Sequence, residues 1–302
     1  MPAELNKAPM DTTVADIQCI VNRYLRAEAS TSMVLMELVQ LTEDPDAIAR
    51  TLPLLNGDPT KLRELVRHLA ENEAGCRTIV RMIRQRLDFP EIAENAKEGI
   101  EKCRRLFDAS VAQSEESSVA LYSLGSPELL AVATDEVIGV LQGWGVLGPH
   151  RDALEIGCGI GRLMVPLCSR LHSVVGTDVS PGMVSAAMRR LEGFSNASVH
   201  VTAGQDLSEF GSGSMDLVYS VDAFPYLVLA GHALVERHFQ EIRRVLKPGG
   251  DFVLFNYAYG RAGEDANGEV LALAHGAELQ VIRANASPFR LWNGIGWLLR
   301  RP

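Results

Sequence analysis

Cysteine is scarce in this chain of 302 residues, and what there is has no shared task. The five cysteines, at 19, 76, 103, 158 and 168, form no Cys-x-x-Cys pair and are odd in number. Neither a disulfide framework nor a zinc cluster finds support in that spacing. Reduced thiols in a cytoplasm are the expectation. Basic charge is also short. Against 38 Asp and Glu stand 29 Lys and Arg, a net charge of −9 that disfavours a general coating role on nucleic acid. The acidity is spread, −5 over residues 1–118 and −4 over 119–302, so neither part is an electrostatic tail. Long apolar runs are missing too. The most apolar stretch, Leu217 to Val235, is broken by Asp222, Pro225 and His232 and reads as a strand, a loop and a helix start, not as a membrane span. The opening MPAELNKAPMDTTVAD lacks the apolar core of a signal peptide.

What is present is an ordinary globular mixture, 47% hydrophobic and 22% charged, at a length that suggests about two domains. Residues 13 to 118 read as helix after helix. Asp58-Pro59 supplies a cap and a first-turn proline, and Leu62, Leu65, Val66 and Leu69 follow at helical spacing. Ile79, Val80, Ile83 and Leu87 make a second run, and 91–112, with Ile92, Ile100 and Leu106, a third. Breaks fall at Asp44-Pro45, Asn56-Gly57 and Phe89-Pro90, and the polar stretch 113–118 reads as a hinge. Ser126, Pro127 and Glu128 then open a helix to Gly143.

From residue 150 the texture changes. Short apolar segments at 152–157, 173–178, 198–202, 215–221 and 251–257 alternate with helical ones at 161–171, 181–191, 233–246 and 267–275, and two more strands are expected near 278–285 and 295–301. This alternation predicts an α/β fold with a mostly parallel sheet covered on both faces. The division expected is a helical N-terminal domain over 1–118 and a second domain over 119–302.

The first strand ends in Ala153-Leu154-Glu155-Ile156-Gly157-Cys158-Gly159-Ile160-Gly161. Glycines there allow a sharp turn and a close approach of ligand to backbone. The spacing is G-x-G-x-G, not the G-x-G-x-x-G of dinucleotide sites. The second strand closes in Asp178, 21 residues beyond Gly157, where a carboxylate meets the same crevice and can accept hydrogen bonds from ribose hydroxyls.

On these residues the stretch 150–257 resembles the class I S-adenosylmethionine-dependent methyltransferases. The likeness continues in VVGTDVSPGM, in Gly204-Gln205-Asp206-Leu207, in Met215-Asp216-Leu217-Val218-Tyr219-Ser220, and in Glu241-Ile242-Arg243-Arg244-Val245-Leu246-Lys247-Pro248-Gly249-Gly250. The resemblance implies a Rossmann-like sheet of seven strands, the last antiparallel, with S-adenosyl-L-methionine as cofactor. It implies that Gly157, Gly159 and Gly161, with Cys158, form the turn under the cofactor and that Glu155 organises its amino-acid end. Asp178, followed by Val179, would hold the ribose. Gln205, Asp206 and Leu207 would meet the adenine, and Ser220 would lie near the methionine amine. Bland readings stand beside these: close helix packing for Gly161, a tolerated small residue for Cys158, local backbone bonding for Asp216, and a turn for Lys247-Pro248-Gly249-Gly250.

Methyl transfer needs a general base only when the nucleophile starts protonated. The candidates follow the fourth strand, Asp222, Tyr226 and His232, with Tyr257 and Tyr259 after the fifth. The run Val221-Asp222-Ala223-Phe224-Pro225-Tyr226-Leu227 lacks the histidine many relatives carry. It also departs from the Asn/Asp-Pro-Pro-aromatic motif of amino-group methylases on DNA or protein. No paired acidic metal motif is visible, so a metal-free transfer to O or N of a small organic molecule is expected. The alternatives are a macromolecular substrate (protein or RNA), a non-catalytic cofactor-binding regulator and, further off, a nicotinamide oxidoreductase. Arg77, Arg81 and Arg84 share one helix side and suit either an acidic partner or a solvated face paired with Glu71 and Glu73. The segment Phe107 to Leu124 is expected to cover the crevice as a lid, with Tyr122 contacting cofactor or substrate.

Overall fold

The computed structural model describes residues 13–84, 95–259 and 265–302. Among the described residues the N-terminal part is helical: α1 (Val14–Leu25), α2 (Thr31–Thr42), α3 (Pro45–Thr51), α4 (Pro59–Glu71), α5 (Glu73–Arg84), α6 (Ala96–Gln113) and α7 (Glu115–Val119). Short polar side chains start most of these helices. Thr13, Ser30, Asp44, Asp58, Asn95 and Ser114 each accept a backbone N–H of the first turn, satisfying donors that the helix leaves unpaired. Leu62, Leu65 and Leu69 of α4 bury beside Ile79 and Val80 of α5 and Leu35 and Leu38 of α2, as their spacing requires. Leu87, Ile92 and the Phe89-Pro90 break lie outside the described residues. The polar stretch 113–118 is folded rather than a hinge. Ser114 ends α6 in extended backbone and accepts the Ser117 N–H at 3.1 Å, so α7 starts at once.

After α8 (Pro127–Gly143) come β1 (Gly148–Ile156), α9 (Met164–Leu167), β2 (Leu171–Asp178), α10 (Pro181–Arg190), β3 (Ala197–Val201), β4 (Met215–Val221), α11 (Phe224–Ala230), α12 (His232–Val245), β5 (Leu246–Phe255), α13 (Ala266–Gly276), β6 (Gln280–Ala286) and β7 (Gly296–Arg300). They form one sheet in the order β3-β2-β1-β4-β5-β7-β6. Strands β1 to β5 pair in parallel, and β7 runs antiparallel to both β5 and β6. The seven strands with an antiparallel last one are those the sequence implied. The order reverses between β1 and β4, and the crevice at that switch point is where α/β sheets place ligands.

Period-two side chains sort the core. Leu217 and Tyr219 of β4, with Val253 and Phe255 of β5, face α8 and α10. Val218, Phe252 and Leu254 face α12 and α13. Each such fully buried side chain is worth about 1.5–3 kcal/mol, and both faces of the sheet are covered except at the edge strand β6, which is exposed up to Asn285.

Three local expectations are corrected. The helix expected at 161–171 is confined to Met164–Leu167, because Gly161 sits at φ +71°, outside helical space, and Leu171 already belongs to β2. The stretch after β4 contains a helix, α11, not only a loop, with Pro225 tolerated in its first turn. Lys247-Pro248-Gly249-Gly250 lies inside β5 as a bulge: the register with β4 shifts between Met215 and Leu217, and Gly249 takes φ +78°.

Helix α6 links the two parts. Asp108 accepts from Ser180 Oγ at 2.6 Å and from the Gly182 N–H at 3.0 Å, bonding the first turn of α10 from a different helix. Glu115 at the start of α7 binds Arg189 and Arg190 at the other end of α10. Both contacts hold α6 and α7 beside the open ends of β1 and β2.

Candidate active site

The ends of β1, β2 and β4 open into a cavity of about 1320 Å³. Its floor is the turn after β1. Gly157 and Gly159 take φ +72° and +53°, the left-handed region that glycine occupies without strain. A Cβ on Gly157 would lie 2.3 Å from Ala223 Cβ, and one on Gly159 would lie 2.8 Å from Val119. The turn is therefore packed against α7 on one side and the post-β4 segment on the other. Gly161 serves packing, since its Cβ would meet Ala187 of α10 at 3.1 Å.

Asp178 closes β2. Its two carboxylate oxygens accept the Gly159 and Ser180 N–H groups, each at 2.9 Å. Burial outweighs these bonds and pushes its pKa up to about 6. Glu155 is buried on the neighbouring strand, accepts from Tyr219 OH at 2.9 Å, and is pushed by burial up to about 8. Cys158, also buried, has its thiol pushed up, which removes it as a nucleophile at neutral pH. Val179, Gly204, Asp206 and Leu207 continue the wall on the β3 side, facing Ile100 and Cys103 of α6.

Asp222 stands just beyond β4 at φ +63°, and Asn256 just beyond β5 at φ +61°. Two neighbouring strand ends thus hold non-glycine residues in left-handed backbone, a strain typical of ligand sites. Asn256 Nδ2 donates to Asp222 Oδ1 at 2.8 Å, and Tyr259 OH donates to the same oxygen. Burial raises the Asp222 pKa. Tyr226 packs edge-on against Phe107 of α6, with ring centroids 4.7 Å apart, and against Tyr259 at 6.3 Å. Burial pushes the hydroxyls of both tyrosines up. Residues 117 to 122 roof the site, with Tyr122 buried and stacked on Trp292 at 5.7 Å and 12° between planes.

The cavity thus gathers Glu155, Gly157, Cys158, Gly159, Asp178, Val179, Asp206, Leu207, Asp222, Tyr226 and Tyr122. It does not gather four others, of which Tyr257 is buried in the core on the α12 and α13 side of the sheet. Ser220 is buried with its hydroxyl turned to the Ile156 carbonyl at 3.0 Å, tying β4 to β1. Gln205 is not part of the wall. His232 opens α12 with its side chain exposed and 3.4 Å from Glu236. Asp206 bonds Ser208 and Arg237. Asp216 serves local structure, accepting the Asp152 N–H at 2.9 Å and Lys247 Nζ at 2.6 Å. On α5, Arg77 pairs with Glu73 and Asp46, Arg84 pairs with Glu43, and Arg81 donates to Thr78. Of the two expected partners only Glu73 is used, Glu71 lying against Arg67 instead, and Arg84 also lines the cavity.

Four wall residues carried no signal in the sequence: Arg162, Asn256, Trp292 and His238. Arg162 donates to Thr134 of α8 at 3.1 Å. His238 is buried on α12 with Nδ1 2.8 Å from the Leu234 carbonyl, and burial holds its pKa down. Proximity in the chain could have pointed to Arg162, next to the glycine turn, and to Asn256, beside the tyrosines after the fifth strand, but not to Trp292.

Comparison with known proteins agrees with this geometry. Residues 154–254 match the family described as a methyltransferase domain. A probable S-adenosylmethionine-dependent methyltransferase of Saccharomyces cerevisiae, CRG1, is 31% identical over 118 residues, covering 36% of this chain and 37% of that protein. The demethylmenaquinone methyltransferase of Clavibacter sepedonicus is 28% identical over 158 residues, 51% of this chain and 57% of that one. The chain therefore spans less than two thirds of the curated relatives it matches. Phosphoethanolamine N-methyltransferase 1 of Haemonchus contortus shares the fold at a TM-score of 0.53, with 16% identity, over 68% of this chain and 49% of that one. With the sheet order, the glycine turn and the acid closing β2 already in place, residues 154–254 carry a methyltransferase domain on the class I fold, preceded by a helical N-terminal region.

Proposed function

We propose that this protein transfers the methyl group of S-adenosylmethionine to an oxygen or nitrogen of a small organic molecule, by in-line displacement without a metal. The observation that carries the reading is the single cavity joining the glycine turn and Asp178 to Asp222, Tyr226 and Tyr259 beneath a roof of α6, α7 and Tyr122. Its residues fit the cofactor. The backbone of Gly157 and Gly159 is bare, Asp178 retains acceptor capacity beyond its two N–H partners, and Val179, Ile100 and Leu207 offer apolar walls to a base.

When bound, the cofactor supplies a methyl already activated on a sulfonium. The remaining work is alignment and exclusion of water, which can be worth roughly 7–11 kcal/mol in favourable cases. Phe107 and Tyr122 close the site from above, and Tyr226 forms its side wall. The buried carboxylate of Asp222 accepts the proton that an acceptor hydroxyl or ammonium must lose, while Tyr259 and Asn256 hold its orientation.

The test has two parts. Calorimetry should show binding of S-adenosylhomocysteine and none of NADH. Labelled S-adenosylmethionine with a metabolite extract should place label in the small-molecule fraction. Tight NADH binding alone, or label only in protein or RNA, would overturn the reading.

A further inference from the structure

The cavity of about 1320 Å³ has to hold both cofactor and acceptor, and from Asp222 it extends toward the helical part. Past Tyr122 and Trp292, the wall is taken up by Ile20 of α1 and by Met33, Met36 and Leu41 of α2. Met33 packs in one cluster with Tyr122 and Trp292, and Met36 packs against that cluster. Flat rings facing unbranched thioethers make an apolar, adaptable surface. At the far end Arg23 meets both carboxylate oxygens of Glu37, at 2.8 and 2.7 Å, so its charge is neutralised and no anion site results. Trp292 is buried, and its indole N–H has no partner.

A second cavity of about 270 Å³ lies behind this end. It shares Arg23, Met33, Trp292 and Asn293 with the first. Those side chains are therefore the partition between the two spaces.

We propose that the methyl acceptor is an extended molecule with an apolar chain, its nucleophilic end at Asp222 and its chain running past Tyr122 along α2, and that Met33 and Trp292 set the longest chain admitted. The inference rests on the methyl-transfer reading for the identity of the reacting end. It rests on the walls alone for the chain.

The probes are straight-chain primary alcohols from hexanol to hexadecanol, displacing N-phenyl-1-naphthylamine from the full chain with and without S-adenosylhomocysteine. Affinity should rise about fourfold per added methylene up to a limiting length and then level off. Met33→Trp should move that limit to a shorter alcohol, and Met33→Ala and Trp292→Ala should move it to longer ones. Opposite shifts at one position cannot come from a damaged fold. Affinity independent of chain length, or one limit shared by all variants, overturns the proposal. A chain-length limit with no S-adenosylhomocysteine binding in calorimetry would remove the methyl-transfer reading and keep the chamber; cofactor binding without a limit would do the reverse.

Discussion

The backbone N–H of Gly159 donates to the carboxylate of Asp178 at 2.9 Å, so the glycine turn and the acid that closes the neighbouring strand hold each other in place before any ligand arrives. The acid is thus both a support for the turn and a wall of the cavity. Removing it disturbs both roles, and Asp178→Ala is expected to weaken S-adenosylhomocysteine binding by more than about tenfold, or 1.4 kcal/mol, in calorimetry.

The same carboxylate predicts a pH dependence of binding. Ribose hydroxyls donate hydrogen bonds, so they favour the ionised form, and burial has raised the Asp178 pKa to about 6. Cofactor affinity should hold above that value and fall as pH drops through it. Asp178→Asn should bind more weakly and flatten this arm of the profile. A wild-type affinity constant across the window would contradict the assignment.

Glu155 predicts a pH dependence of stability. Its pKa is raised from 4.5 to about 8, so the folded state binds a proton that the unfolded state has already released. Stability from this group is whole below 4.5 and is lost progressively as pH rises through about 8. Glu155→Gln stays neutral throughout. Without ligand, its melting temperature relative to wild type should climb across that interval, as followed by thermal unfolding at a series of pH values.

Asp222 separates binding from turnover. Asn tolerates left-handed backbone, so Asp222→Asn keeps the φ of +63° and removes only the proton acceptor. Turnover should fall by about a hundredfold or more, while S-adenosylhomocysteine affinity stays near wild type. Equal losses in both would assign Asp222 to the fold instead. Tyr122→Phe should leave the melting temperature nearly intact and slow turnover, because the ring keeps its stack on Trp292 and only the hydroxyl is lost.

Two glycines give opposite expectations for stability. Gly157→Ala forces a side chain into left-handed backbone at a cost of about 1–2 kcal/mol, and its Cβ would stand 2.3 Å from Ala223 Cβ. Gly139 lies exposed inside α8 with nothing within 4 Å of an added Cβ, so Gly139→Ala should gain about 0.8–1 kcal/mol. Denaturant midpoints of the two variants, on either side of wild type, would check both.

Much of the fold was readable from neighbours in the chain. The segment Ala153 to Ile156, apolar but for Glu155, buries on both faces of a central strand, and the glycines after it permit a turn whatever surrounds them. Asp178 could be placed because the next parallel strand must end beside the first. Local pattern and tertiary placement diverge at two of the expected site residues. His232 has the chemistry of a base, but the start of α12 turns it to solvent. Ser220 has a suitable hydroxyl, but the β1–β4 pairing takes it for the Ile156 carbonyl.

The sequence by itself determined the helical start, the alternation that builds a parallel sheet, the glycine turn and the acid that faces it. Each depends on residues a few positions apart or on one strand-to-strand step. Only the tertiary structure decided what stands around the reacting end. Met33, Tyr122, Asp222, Tyr259 and Trp292 share one cavity wall, though they come from five separate stretches of chain. No periodicity records such a meeting, because it is set by how α2, α6 and α7 dock on the sheet, and that docking depends on single contacts such as Asp108 with the first turn of α10.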